Sequence, residues 1–267
     1  MSSRSASRKA RRAQARAERL EAEAHQREAA ERRRRIQRLA IVAGVAVLLV
    51  GGAIVISQSG SDADGDGDAS AQSNEVAALY DDIRQQGNTL GSPDAPLTML
   101  EFADPQCPFC AEYSANVLPE IIDRYVRPGE LRLELDLLTF IGPDSERAAR
   151  VAESAGLQDG MWEYVDLLYG QQGAENSGYA TDEFLRELAA AVPGLDVEQV
   201  FAERDSDAVS GRLARAQASA TRLGVNSTPT FFVGDARGNL QPLDVASLEP
   251  DAFISQLDSL TSGGAGE

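Results

Sequence analysis

The chain has 267 residues, 43% of them hydrophobic, with 42 Asp/Glu against 25 Lys/Arg, one histidine and two cysteines. The lone histidine, His25, lies near the N-terminus, so the rest of the chain has no Cys–His or Ser–His nucleophilic pair, and two thiols fall short of a closed zinc site. Residues 57–267 hold twelve Arg and 37 Asp/Glu, a surface that repels nucleic acid; with so few Cys and His ligands no bound metal is expected, and no cofactor either.

Residues 1–38 carry thirteen Lys/Arg and five Asp/Glu and read as a basic cytoplasmic tail. Leu39 to Ile56 follows, 18 residues without an ionisable side chain and long enough to cross a bilayer core. By the positive-inside rule the N-terminus stays in the cytoplasm and the chain beyond Ser57 is extracytoplasmic. The predicted localisation is the cell membrane, with one transmembrane helix over 39–56. A cleavable signal peptide fits less well. The basic region and apolar core are both longer than usual, and Ala69-Ser70-Ala71 lies too far downstream for cleavage.

Residues 57–73 are Gly/Ser/Asp-rich and read as a flexible acidic linker. A calcium-loop pattern fails there: the register from Asp62 puts Ser73 at position twelve, and that from Asp64 puts Ala69 at position six. Apolar spacing predicts a helix from Glu75 to Gln86, broken by Gly87-Asn88 and Gly91-Ser92-Pro93. Leu97 to Ala103 reads as a buried strand. Cys110 to Val126 has helical periodicity with a kink expected at Pro119, and Leu131 to Leu138 alternates as a strand. Strand, helix and strand of these lengths imply a parallel βαβ unit. Residues 144–223 look helical almost throughout, with Thr181 capping one run, and form a helical insert. Thr230 to Val233 and Leu240 to Val245 read as a hairpin, and Pro250 opens a last helix with Phe253, Ile254 and Leu257 inward.

Both cysteines lie in Cys107-Pro108-Phe109-Cys110, after a strand and at the start of a helix. There the unpaired N–H groups and the helix dipole favour a thiolate at Cys107. A lowered pKa makes that sulfur both a populated nucleophile and a good leaving group. Cys107 is read as the nucleophile and Cys110 as the resolving thiol. A static disulfide is the competing reading, but a bridge over two residues restrains the unfolded chain weakly.

LGSPDAPLTMLEFADPQCPFC at 90–110, with TRLGVNSTPTFFVG at 221–234, resembles the DsbA-like thiol–disulfide oxidoreductases of the thioredoxin superfamily. The resemblance covers about 88–260 and implies an α/β, thioredoxin-like fold with a helical insertion, filling 74–262, with 263–267 a disordered tail. It implies that Thr228-Pro229 is a cis-proline loop facing the cysteines, where Thr228 offers its backbone to an extended client. It further implies that Glu101, six residues before Cys107, helps move the proton of the resolving thiol. The partners implied are exported proteins bearing cysteines and a membrane thiol oxidase that recycles the dithiol. Two departures stand out. Phe109 replaces the histidine of the family's best-known oxidants, and Ser227 replaces the glycine common before Thr-Pro. Asn226-Ser227-Thr228 spells a glycosylation sequon, but a glycan there would block the loop. A reductase or isomerase of the same fold, and a redox-inert client-binding module, are the alternative functions.

Overall fold

The computed structural model describes residues 65–263 except 236–237; the basic tail, the apolar segment Leu39 to Ile56 and residues 57–64 lie outside them. Among the described residues no helix is long and apolar enough to cross a membrane.

The first helix, α1, spans Gly65–Tyr80. It begins inside the stretch that composition reads as linker and stops six residues short of Gln86, where Asp82 takes a φ of 60°. Tertiary packing overrides local composition here: Val76 and Tyr80 are buried, which anchors the helix. The two-residue strands β1 (Gln85–Gln86) and β2 (Thr89–Leu90) follow, pairing Gln85 with Leu90 and Gln86 with Thr89. Gly87, at φ 64°, supplies the positive φ that so tight a hairpin needs.

Strand β3 covers Leu97–Ala103, as periodicity predicts. Helix α2 spans Pro108–Asn116 and α3 spans Leu118–Ile121, continuing into a π-helical turn over Ile122–Val126. The interruption falls at Val117 (φ −115°), just before Pro119, whose ring and missing N–H prevent an unbroken ladder. Strand β4, Leu131–Leu137, buries alternate residues and runs parallel to β3 from Leu97↔Leu131 to Ala103↔Leu137.

Between β4 and the next strand come five helices: α4 (Pro143–Ala155), α5 (Met161–Gly170), α6 (Asp182–Ala191), α7 (Val197–Glu203) and α8 (Asp207–Leu223). Thr181, Asp196 and Ser206 cap the last three, each side chain accepting the N–H of the third helical residue. This is the helical insertion, residue for residue close to the 144–223 span. Strands β5 (Thr230–Asp235) and β6 (Gln241–Pro242) and helix α9 (Pro250–Gly263) complete the fold. The expected second hairpin strand, Leu240 to Val245, shrinks to two residues because Pro242 has no N–H to extend the ladder.

The sheet order is β1-β2-β4-β3-β5-β6, so β3 is central and pairs in parallel with β4 and antiparallel with β5. Side chains alternate across it. Leu100 and Phe102 join a cluster with Ala216 and Ala220 of α8, whereas Met99 and Ala103 join the larger core with α2, α5 and α9. Both faces of β3 are therefore covered, and Glu101 falls on the side of the larger core.

In that core Phe253 of α9 is fully buried, its ring 5.3 Å from Tyr113 and 5.0 Å from Phe231. Phe253→Ala should lower the unfolding free energy by about 3–5 kcal/mol, read from denaturant titration of the full chain.

Candidate active site at the start of helix α2

Cys107 is the N-cap of α2, and its backbone (φ −74°, ψ 116°) is extended as a cap requires. A sulfur thus occupies the place where a serine or aspartate oxygen usually caps a helix. The Cys110 N–H points at the Cys107 Sγ across 3.4 Å, and the Cys107 thiol donates to the Thr228 carbonyl at 3.3 Å. Pro108 at the first helical position has no N–H to leave unpaired. The Thr228-Pro229 peptide is cis, and both cysteines are free thiols.

Hydrogen bonds to the sulfur hold the Cys107 pKa at about 6, down from 9.0. The Cys110 thiol contributes most; burial opposes it; the Thr228 side chain and the N–H groups of Cys110 and Phe109 add to the lowering. Cys110 goes the other way. It is fully buried, and burial first, then the hydrogen bond to Cys107 and the charge of Glu101, push its thiol well above the usual range. The two sulfurs are thus chemically unequal: one is a thiolate at neutral pH, the other keeps its proton. Cys107 retains only 4% of its surface. Thr228, whose carbonyl contacts the Cys107 thiol, and Pro229 line an open groove of about 340 Å³ together with Phe109, Leu243, Asp244 and Leu248. Phe109 is the most exposed large apolar residue among those described, at 58%.

Glu101 neither reaches solvent nor sits at a strand end: it is 4% exposed, in the middle of β3, opposite Leu135 on one side and Phe231 on the other. Burial raises its pKa to about 8, with the Cys107 charge adding to the effect. The structure therefore gathers Cys107, Cys110 and Thr228-Pro229 at one point, with Glu101 acting on the cysteines from within the core.

A buried polar network around the approach to Cys107 was not anticipated. Asp104, fully buried, accepts the Gln106 N–H (2.9 Å) and the Ser145 hydroxyl (2.6 Å) on one oxygen and the Ile141 N–H (3.1 Å) on the other. Gln106 donates to Ser145 at 2.8 Å and accepts the Asn176 N–H at 2.6 Å. Gln172 reaches the carbonyls of Pro105 and Cys107 at 3.0 and 3.3 Å, and the Tyr169 hydroxyl reaches that of Asp104 at 3.2 Å. The helical insertion thereby grips the loop that presents the nucleophile. Asp104-Pro105 is a turn-initiating dipeptide, the one sequence signal that marks part of this network.

The pH response of the fold follows from Glu101. Unfolded, its carboxyl ionises near 4.5; folded, it holds its proton to about 8. Between those values the folded state binds more protons, so stability falls as pH rises across that window. Glu101→Gln should remove this loss: relative to the parent, the reduced variant gains stability between pH 5 and pH 8, measured by urea unfolding at each pH. An unchanged difference across that range would contradict the buried, protonated carboxyl.

Comparison with known proteins places this geometry. A family model described as Thioredoxin matches residues 84–248. A probable disulfide bond formation protein D of Bacillus anthracis is 30% identical over 218 residues, covering 80% of this chain and 94% of that protein. The crystal structure of BdbD from Bacillus subtilis shares the fold with a TM-score of 0.58 at 20% identity, over 68% of this chain and 100% of that one. Chlamydia trachomatis DsbA matches with a TM-score of 0.55 at 25% identity, over 67% of this chain and 91% of that one.

Proposed function

The chain belongs to the thioredoxin family and is a protein thiol–disulfide oxidoreductase of DsbA-like type, and we propose that it oxidises exported proteins outside the cell membrane through Cys107 and Cys110. One observation carries the reading: the Cys107 sulfur caps α2, ringed by donors, with the protonated Cys110 directly behind it.

In the oxidised enzyme a client thiolate attacks the Cys107 sulfur. The Cys107–Cys110 bond breaks, and Cys110 takes up a proton, with Glu101 as the nearby carboxyl that supplies it. A second client thiolate then attacks its own sulfur in the mixed disulfide and expels Cys107 as a thiolate. The client loses two electrons and two protons; the enzyme keeps both electrons and one proton, and solvent receives the other. Because the departing Cys107 thiolate is stabilised, the reduced enzyme is favoured and the disulfide is oxidising. A membrane thiol oxidase then has to take the two electrons back. Thr228 and the groove beside Pro229 offer a backbone edge and a trough of mixed polarity to an extended client segment.

The location rests on sequence. An 18-residue charge-free segment at 39–56, preceded by a basic tail, fits a single-pass anchor with the catalytic unit outside, where disulfides persist.

Two measurements on the full-length protein in cells check the proposal. Cys110→Ser should accumulate mixed disulfides with client proteins that reducing agent releases, and Cys107→Ser should accumulate none. In the parent, a mass-shifting, membrane-impermeant alkylator applied before and after reduction should find the pair outside and mostly oxidised. A mostly reduced pair would reverse the electron flow and make the protein a reductase or isomerase.

A further inference from the structure

Two acidic groups, Glu101 and Asp166, meet at one small cavity under α2. The cavity is internal and about 10 Å³, room for roughly one water. Glu101 of β3, Tyr113 and Ser114 of α2, Tyr80 of α1, and Trp162, Asp166 and Tyr169 of α5 line it. Leu118, Leu135 and Val165 complete its wall. The Tyr113 hydroxyl is fully buried without a hydrogen-bond partner, so a polar guest there has a group to bind. Asp166 accepts the Ser114 hydroxyl at 2.5 Å and the Tyr80 hydroxyl at 3.4 Å. It also lines a second, open pocket of about 470 Å³ between α1, α2 and α5. Asp166 is the acidic residue common to the closed cavity and the open pocket. It is partly exposed, as a group with one side inward and one outward must be.

We propose that Asp166 is the outer station of a proton path serving Cys110: protons move between the Cys110 thiol and Glu101, across the small cavity, and through the Asp166 carboxylate to the open pocket. The inference rests on the redox reading above and extends it to a residue of the helical insertion. Cys110 is fully buried, so every cycle must deliver a proton to it as it leaves and withdraw one before it attacks. Glu101 is 4% exposed and cannot exchange with bulk water by itself. Burial holds Asp166 at about 6, below Glu101 at about 8, so a proton passes downhill inward from Asp166 to Glu101, the direction that supplies a departing Cys110, and climbs about two pKa units on the way out. The charged and titratable groups facing Asp166 are Glu75 and Tyr80 from α1, Glu163 from its own helix, Asp123 and Arg127 at the pocket rim, and Glu101 and Tyr113 across the cavity. Asp166 is a positioning residue in this scheme, acting through Glu101 rather than touching sulfur.

The test separates the two thiols kinetically in the reduced, full-length protein mixed with excess glutathione disulfide. In the first phase the Cys107 thiolate attacks, forms a mixed disulfide and releases one glutathione thiolate. In the second, Cys110 gives up its proton, attacks the Cys107 sulfur, closes the Cys107–Cys110 bond and releases the second glutathione thiolate. Asp166→Asn keeps an oxygen for Ser114 but cannot carry the proton. It should leave the first phase unchanged and slow the second by about 10-fold or more, with a shifted pH profile, since positioned proton transfer is worth roughly 10²–10⁴-fold. Asp166→Glu should restore most of the rate. Tyr113→Phe, which removes only the unpartnered hydroxyl, should slow the same phase alone and serves if Asp166→Asn does not fold. Parent-like second phases in the folded variants overturn the path. A parent lacking the first phase overturns the redox reading instead.

Discussion

A sulfur in place of the helix-capping oxygen organises this molecule. The first N–H groups of α2 have no partners within the helix, and Cys107 places its Sγ where they converge. Its fall from 9.0 to about 6 corresponds to roughly 4 kcal/mol in favour of the thiolate. Hydrogen bonds to a charged group contribute about 1.5–3 kcal/mol each, so two or three well-aimed donors suffice. All of them are neutral: the Cys110 thiol, Thr228 and two backbone amides. The family-type histidine is replaced by Phe109, so the activation here comes from neutral hydrogen-bond donors, the Cys110 thiol foremost, instead of a neighbouring positive charge.

Such a cap functions only if the loop leading into it is fixed, and that requirement gives the helical insertion a structural purpose. Asp104, Gln106, Ser145 and Asn176 interlock, while Tyr169 and Gln172 hold carbonyls of the Asp104–Cys107 segment. Apart from the Gln106 N–H to Asp104 bond within the loop, these contacts join it to residues between β4 and β5. A buried network of this kind is stabilising only when its members are satisfied, and Asp104 spends both oxygens doing so. The insertion is therefore part of the nucleophile's scaffold, in addition to whatever it offers to clients.

How much of this could be read from sequence depended on how local the determinant was. β3, β4, the Pro119 interruption, the Thr181 cap and the inward residues of α9 are set by period, proline chemistry and caps within a few residues, and they fell where spacing put them. The cysteine pair was equally local. The start of α1 was not, because an Ala/Asp/Gly-rich stretch becomes helical only once Val76 and Tyr80 have a core to dock against. The strand pair around Gly87 was too short to show alternation. Glu101 could be named, but its burial could not be decided, since one acidic residue in an apolar strand fits either a rim or a core until the register is known. Asp104 and Asp166 were invisible for the same reason: their partners lie tens of residues away.

The acidic surface might be expected to undo the thiolate, and magnitudes show why it does not. Residues 57–267 carry 25 more negative than positive charges. At 15 Å in water one such charge raises the energy of a thiolate by about 0.3 kcal/mol, and a Debye length of about 8 Å cuts this to roughly 0.04 kcal/mol. Even summed over the whole excess the opposition is about 1 kcal/mol, well below the 4 kcal/mol from donors in contact with the sulfur. Local hydrogen bonds win because salt screens the distant charges and leaves the bonded ones intact. Glu101 is the exception, being close and enclosed, where screening fails. A permanent charge there would oppose the Cys107 thiolate directly. Keeping that carboxyl protonated through neutral pH lets the site contain both a proton donor for Cys110 and an anion at Cys107 without setting two charges against each other.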